Sequence, residues 1–121
     1  MNKQTGFTLI ELVAVLVILA LLGAMAVPRF VDVQTEALTA AQNGSSNAVK
    51  SAHAMAIAAL KRYPTVTELG DYVGGPAVTP VAGGIQVTID GTAYTVPTYT
   101  DVTCGSQTTA VGDTVACVGN I

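Results

Sequence analysis

The sequence predicts an α+β protein: a long N-terminal α-helix whose first half spans a membrane, packed by its C-terminal half on a small antiparallel β-sheet. Three stretches carry that expectation. Residues 7–27 form an almost unbroken apolar run, residues 30–63 repeat apolar positions at spacings of three and four, and residues 85–96 alternate apolar and polar side chains about Asp90-Gly91.

The apolar run sets the first element. About 20 helical residues at ~1.5 Å each match the hydrocarbon thickness of a bilayer. The run passes directly into an amphipathic pattern without the small-residue cleavage site that ends a secretory signal, so the apolar part is expected to be kept. Glu11 is the anomaly within it. A carboxylate at mid-bilayer costs roughly 2.5–3.5 kcal/mol, and less near the interface, so it needs a partner unless it sits at headgroup depth as a helix-start acid favoured by the dipole.

Before the run lies a short, polar, weakly basic segment, Met1-Asn2-Lys3-Gln4-Thr5-Gly6. The motif Gly6-Phe7-Thr8-Leu9-Ile10-Glu11 resembles the prepilin-peptidase site of type IV pilins and their relatives, and the close likeness covers residues 6–34. The resemblance implies cleavage after Gly6, N-methylation of the new terminus at Phe7, and a Glu11 that compensates the terminal ammonium of a neighbouring subunit during assembly. Such a pair attracts far more strongly in a low-dielectric filament core than in water. Pro28 matches the family's usual helix kink, and an interior proline removes a backbone donor in any helix. Pro28-Arg29-Phe30 resembles the major pilins of type IVa systems, with some likeness to the mannose-sensitive haemagglutinin kind.

The second half of the helix is amphipathic. Phe30, Val33, Ala37, Leu38, Ala41, Val49, Ala52, Met55, Ala56, Ala59, Leu60 and Tyr63 define one stripe, with Asp32, Glu36, Asn47, Lys50 and Lys61 largely off it. A continuous helix over residues 7–63 would be roughly 80 Å long. Its weakest point is Asn43-Gly44-Ser45-Ser46, where poor helix formers cluster and a bend or break is expected. Pro64 closes the element. The organisation read from these signals is a leader at 1–6, a hydrophobic transmembrane and assembly helix at 7–28, the amphipathic half at 29–63, and a β-rich head at 64–121.

Within the head, residues 65–84 read as a loop with one short helical turn around residues 66–72. Ile85-Gln86-Val87-Thr88-Ile89 and Thr92-Ala93-Tyr94-Thr95-Val96 flank Asp90-Gly91 as a hairpin. Ile85, Val87 and Ile89 share the face that should meet the helix stripe around residues 49–60. Pro97 is expected to end the second strand, with a third at residues 99–103 and a fourth at residues 114–118.

Composition excludes several functions. The 121 residues carry a net charge of −3, and Lys3, Arg29, Lys50, Lys61 and Arg62 form no dense patch, so no specific nucleic-acid partner is expected. Lys3 ahead of the apolar run favours a leader-in orientation, with the C-terminus periplasmic. His53 stands alone on a helix and reads as a surface or packing residue, there is no phosphate-binding loop, and Asp71, Asp90, Asp101 and Asp113 are too dispersed for a calcium loop. No catalytic residue, cofactor or metal is expected. Cys104 and Cys117 are the only cysteines, and an even count in an exported domain reads first as a disulfide; the pair lacks the ligands for a metal site and is not C-x-x-C. That bridge would add roughly 3 kcal/mol.

The resemblance implies a structural subunit of a type IV pilus, made as a single-pass inner-membrane prepilin, processed by the prepilin peptidase and methylase, and polymerised by the pilus assembly machinery into an extracellular homopolymer serving adhesion, motility or DNA uptake. In it the disulfide-bounded loop would be exposed on the filament. Two alternatives stand beside it: a pseudopilin of a type II secretion system, which usually carries a calcium-binding loop in place of the disulfide, and a single-pass anchored binding domain that never polymerises.

Overall fold

The computed structural model describes residues 5–121, with the backbone but not the side chains of residues 26–32. It divides into two compact units, residues 1–37 and 38–121, each described here by itself.

One helix, α1 (Leu9–Leu60), runs through both. In the first unit the side chains of Leu9, Leu12, Leu16, Leu19 and Met25 are exposed. Among the described residues no helix is long and apolar enough to cross a membrane; the last two residues of the apolar run, Ala26 and Val27, have side chains outside them. Helical backbone continues through Pro28, so the helix is not interrupted there, and the side-chain packing of a Pro28 kink likewise lies outside the described residues.

In the second unit the expected break at Asn43-Gly44-Ser45-Ser46 does not occur. Ser46 is buried; its hydroxyl donates to the Gln42 carbonyl one turn back (3.0 Å) and accepts the Ile121 N–H (3.1 Å), so a poor helix former becomes a tertiary tie. The inward face is Ser46, Val49, Ala52 and Ala56, whereas Met55 and Tyr63, placed on the stripe by spacing, are exposed. The helix stops at Leu60 rather than Tyr63, because Lys61 adopts a left-handed φ of 55°.

After Pro64 a second helix, α2 (Val66–Val73), begins in a capping box: the Glu68 N–H donates to Thr65 Oγ1 (3.3 Å) and the Thr65 N–H to Glu68 Oε2 (2.8 Å). It buries Val66 and Leu69. Gly70 is required by contact, since a Cβ there would lie 2.8 Å from Pro80 Cγ.

Four strands follow as an antiparallel meander in the order β1-β2-β3-β4: β1 (Val78–Val81), β2 (Gly84–Ile89), β3 (Thr92–Tyr99) and β4 (Cys117–Val118). The hairpin is as read. Ile89 pairs with Thr92 across Asp90 (φ 50°) and Gly91 (φ 76°), the two positive φ values of a type I′ turn. Four details differ from the sequence reading, one being that the strand expected at residues 114–118 is reduced to Cys117–Val118. β1 forms where a loop was expected. Pro97 lies inside β3 rather than ending it: Thr98 N–H faces β2, donating to the Gly83 carbonyl (3.2 Å), so the missing Pro97 donor faces the β4 side, where its carbonyl accepts from Gly119 (2.8 Å). The expected strand at residues 99–103 keeps only Tyr99, and the chain then turns at Asp101.

The core is one cluster of Val49 and Ala52 from α1, Val66 and Leu69 from α2, Ile85 and Val87 from β2, Val96 from β3, and Val115, with Ile89 packed at its edge. Ile85, Val87 and Ile89 therefore share the inward face, as their alternation requires. β1 is one edge of the sheet, and its register turns the backbone nitrogens of Val78 and Pro80 away from β2. The Val78 N–H is taken by the Gly75 carbonyl (3.3 Å), and Pro80 has none.

Candidate functional site

Two places hold the residues singled out by sequence: the start of α1, and the loop closed by the cysteines. They belong to different units.

At the start of α1, Thr8 precedes the first helical residue and forms a capping box with Glu11. The Glu11 N–H donates to Thr8 Oγ1 (3.4 Å), the Thr8 N–H donates to Glu11 Oε2 (3.1 Å), and the Leu12 N–H closes the first turn on the Thr8 carbonyl (3.2 Å). The helix-start acid expected of Glu11 is thus real, and it engages one carboxylate oxygen. Phe7 stands 90% exposed immediately before the cap. Gly6 needs no glycine for its own fold: a Cβ there would meet nothing within 4 Å. The same is true of Gly23 in the apolar run. The role of Thr8 was not singled out by sequence, although the pattern Thr-x-x-Glu ahead of an apolar run was its signal, repeated at Thr65-Val66-Thr67-Glu68.

In the head, Cys104 and Cys117 are bridged, with Cα atoms 5.5 Å apart and no free cysteine. Two aspartates organise the loop. Asp101 accepts from the N–H groups of Ser106 (2.7 Å) and Gly105 (3.0 Å) and from the Thr103 hydroxyl, and these donors, the hydroxyl foremost, lower its carboxyl to about 2. Asp113 accepts through Oδ2 from Thr109 N–H (2.8 Å) and Ala110 N–H (3.0 Å), which lower it too. Both carboxylates are thereby occupied by the loop's own donors, and no group of three metal-ligating side chains exists among the described residues. The loop is tied to α2 where Val66 N–H meets the Asp113 carbonyl (3.1 Å) and Thr67 N–H the Val111 carbonyl (3.0 Å). Thr108 of the loop is buried against Thr98 of β3, their hydroxyls paired at 2.7 Å.

His53 is a packing residue. Its Nε2 lies 2.8 Å from the Val115 carbonyl, and its ring stacks beside Tyr63. At the end of α1, Arg62 grips Glu68 in a two-point ion pair, Nη2 to Oε1 at 2.5 Å and Nη1 to Oε2 at 3.0 Å, which holds Glu68 at about 2.

Comparison with known proteins bears on the first place. The Prokaryotic N-terminal methylation motif family matches residues 1–27. Over 67 residues, 55% of this chain, the sequence is 45% identical to the type IV narrow pilus major component PilA5 of Thermus thermophilus; the match spans 58% of that protein's own length. No solved structure matches. The likeness to type IV pilins read from residues 6–11 is thus upheld by a family match and by a relative of that description.

Proposed function

We propose that this chain is the structural subunit of a type IV pilus-type filament, a role that requires no catalysis. The observation that carries the reading is the methylation motif over residues 1–27 placed directly on a helix whose apolar side chains stand exposed. The leader 1–6 is removed after Gly6, Phe7 becomes the N-methylated terminus, and residues 7–28 hold the subunit in the inner membrane with its head periplasmic until assembly. Within the filament the same helices pack on one another, and Glu11 pairs with the Phe7 ammonium of a neighbouring copy. Two glycines support this: Gly6 and Gly23 answer no need of the isolated fold, consistent with recognition by a peptidase at one and close helix approach at the other. Pro28 accommodates a bend within the packed helices. The disulfide-closed loop, held rigid by Asp101 and Asp113, stays outside as the surface for adhesion or receptor contact. Its Cys104–Cys117 bridge supports a pilin over a secretion pseudopilin.

The test is intact mass and N-terminal sequencing of material sheared from cells. The expected product begins at N-methyl-Phe7 and is recovered as filaments, and Gly6→Ala leaves the leader attached and abolishes filaments. An unprocessed chain recovered only from membranes would refute the proposal.

A further inference from the structure

The protein contains two capping boxes of identical pattern, and they differ in one respect. In both, the glutamate Oε2 accepts the threonine N–H and the glutamate N–H returns to the threonine hydroxyl. In the second box Arg62 grips Glu68 as well, Nη2 on Oε1, the oxygen the box leaves free, at 2.5 Å and Nη1 on Oε2 at 3.0 Å. With the threonine N–H on Oε2, the carboxylate is held so that a cation from outside the helix meets Oε1 while sharing Oε2 with the box. Among the described residues Glu11 has no such cation, though its carboxylate is held in the same way.

Resting on the filament reading above, we propose that Thr8 is a positioning residue for assembly: its capping box holds Glu11 through Oε2 and presents Oε1 to the N-terminal ammonium of a second copy of this chain, as Glu68 Oε1 is presented to Arg62. Left uncapped, the Glu11 side chain samples several rotamers, and each subunit added must freeze them. With the box formed, that ordering is already complete. The Thr8 N–H survives leader removal, because it belongs to the Phe7–Thr8 peptide bond.

The experiment follows incorporation of epitope-tagged full-length variants into filaments of cells that also make the untagged chain, normalised to processed variant in the membrane. Thr8→Val, which keeps shape but loses the hydroxyl acceptor, is expected to lower incorporation about tenfold, the size of an N-cap's effect on an equilibrium. Thr8→Ser should restore it. In the Glu11→Gln background, Thr8→Val should add little further loss, because its effect passes through the carboxylate. An undiminished Thr8→Val, or an equal loss in both backgrounds, would overturn the proposal by showing that Thr8 is dispensable or only starts the helix. Absence of the tagged wild-type chain from filaments would instead refute the filament reading, and this inference with it.

Discussion

Replacing Cys104 and Cys117 together by serine opens a loop whose ends are 13 residues apart in sequence. In the chain-entropy account, closing a loop of that size withdraws roughly 3 kcal/mol of freedom from the unfolded chain. The head and the part of α1 it packs on form the unit of residues 38–121. At ~0.05–0.15 kcal/mol per residue its whole stability is about 4–12 kcal/mol, so the bridge is a quarter or more of it. The folded loop keeps the Asp101 and Asp113 bonds and the ties to α2, so the variant should still fold at room temperature. At about 4–8 °C per kcal/mol the expected fall in Tm is ~12–24 °C. The assay is thermal unfolding of the full-length chain in detergent, followed by near-ultraviolet circular dichroism. Its tyrosine band reports the second unit and not the first, since the protein has no tryptophan, its tyrosines are Tyr63, Tyr72, Tyr94 and Tyr99, and the first unit holds only Phe7 and Phe30 as aromatic residues. A fall smaller than ~4 °C would refute the reasoning and place the loop's order wholly in its native hydrogen bonds.

Gly84→Ala should unfold the head or cost it more than ~3 kcal/mol, because Gly84 has a φ of 150° and a Cβ there would overlap the Val96 carbonyl; a soluble variant with unchanged Tm would contradict the β2–β3 register. Acid should loosen the loop and the start of α2. Asp101 and Glu68 are held at about 2, from ordinary values of 3.8 and 4.5, and Asp113 is lowered as well. Depressed carboxyls stabilise the fold above their unfolded values and cease to do so as pH falls through the folded ones, so Tm should be level down to about pH 4.5 and decline toward pH 2. A Tm that rises on acidification would sink this account, and Asp101→Asn should flatten the decline.

The parts of this fold legible in the sequence are those where one local signal decides the backbone. Asp90-Gly91 fixes a two-residue turn and with it the register of two strands. The periodicity of α1 fixes the helix but not its inward face, since a stripe of alanines and methionines is nearly as apolar on either side; tertiary contact selected Val49, Ala52 and Ala56 and left Met55 outside. Prolines misled most. Pro80 lies in a stretch that reads as loop and Pro97 reads as a strand end, yet each sits in a strand where its absent N–H faces away from β2, a fact of register that no window of sequence contains. At the candidate site Gly6, Phe7 and Glu11 stood out by motif, whereas Asp101 and Asp113 did not, because their partners are backbone N–H groups chosen by the loop's final shape.

Pro80 also has a meaning for the filament proposed above, in which heads would stand at very high local density. A sheet margin recruits a foreign strand by offering donors and acceptors in alternation. On β1 the outward donor of Val78 is spent on Gly75 and that of Pro80 does not exist, so this margin keeps carbonyls that can accept hydrogen bonds but has no outward N–H to donate. In the proposed filament, heads crowded side by side would therefore meet at this margin through side chains rather than by adding a strand to β1. A strand shared through β1 would instead join neighbouring heads into one continuous sheet, the arrangement that gives amyloid its permanence.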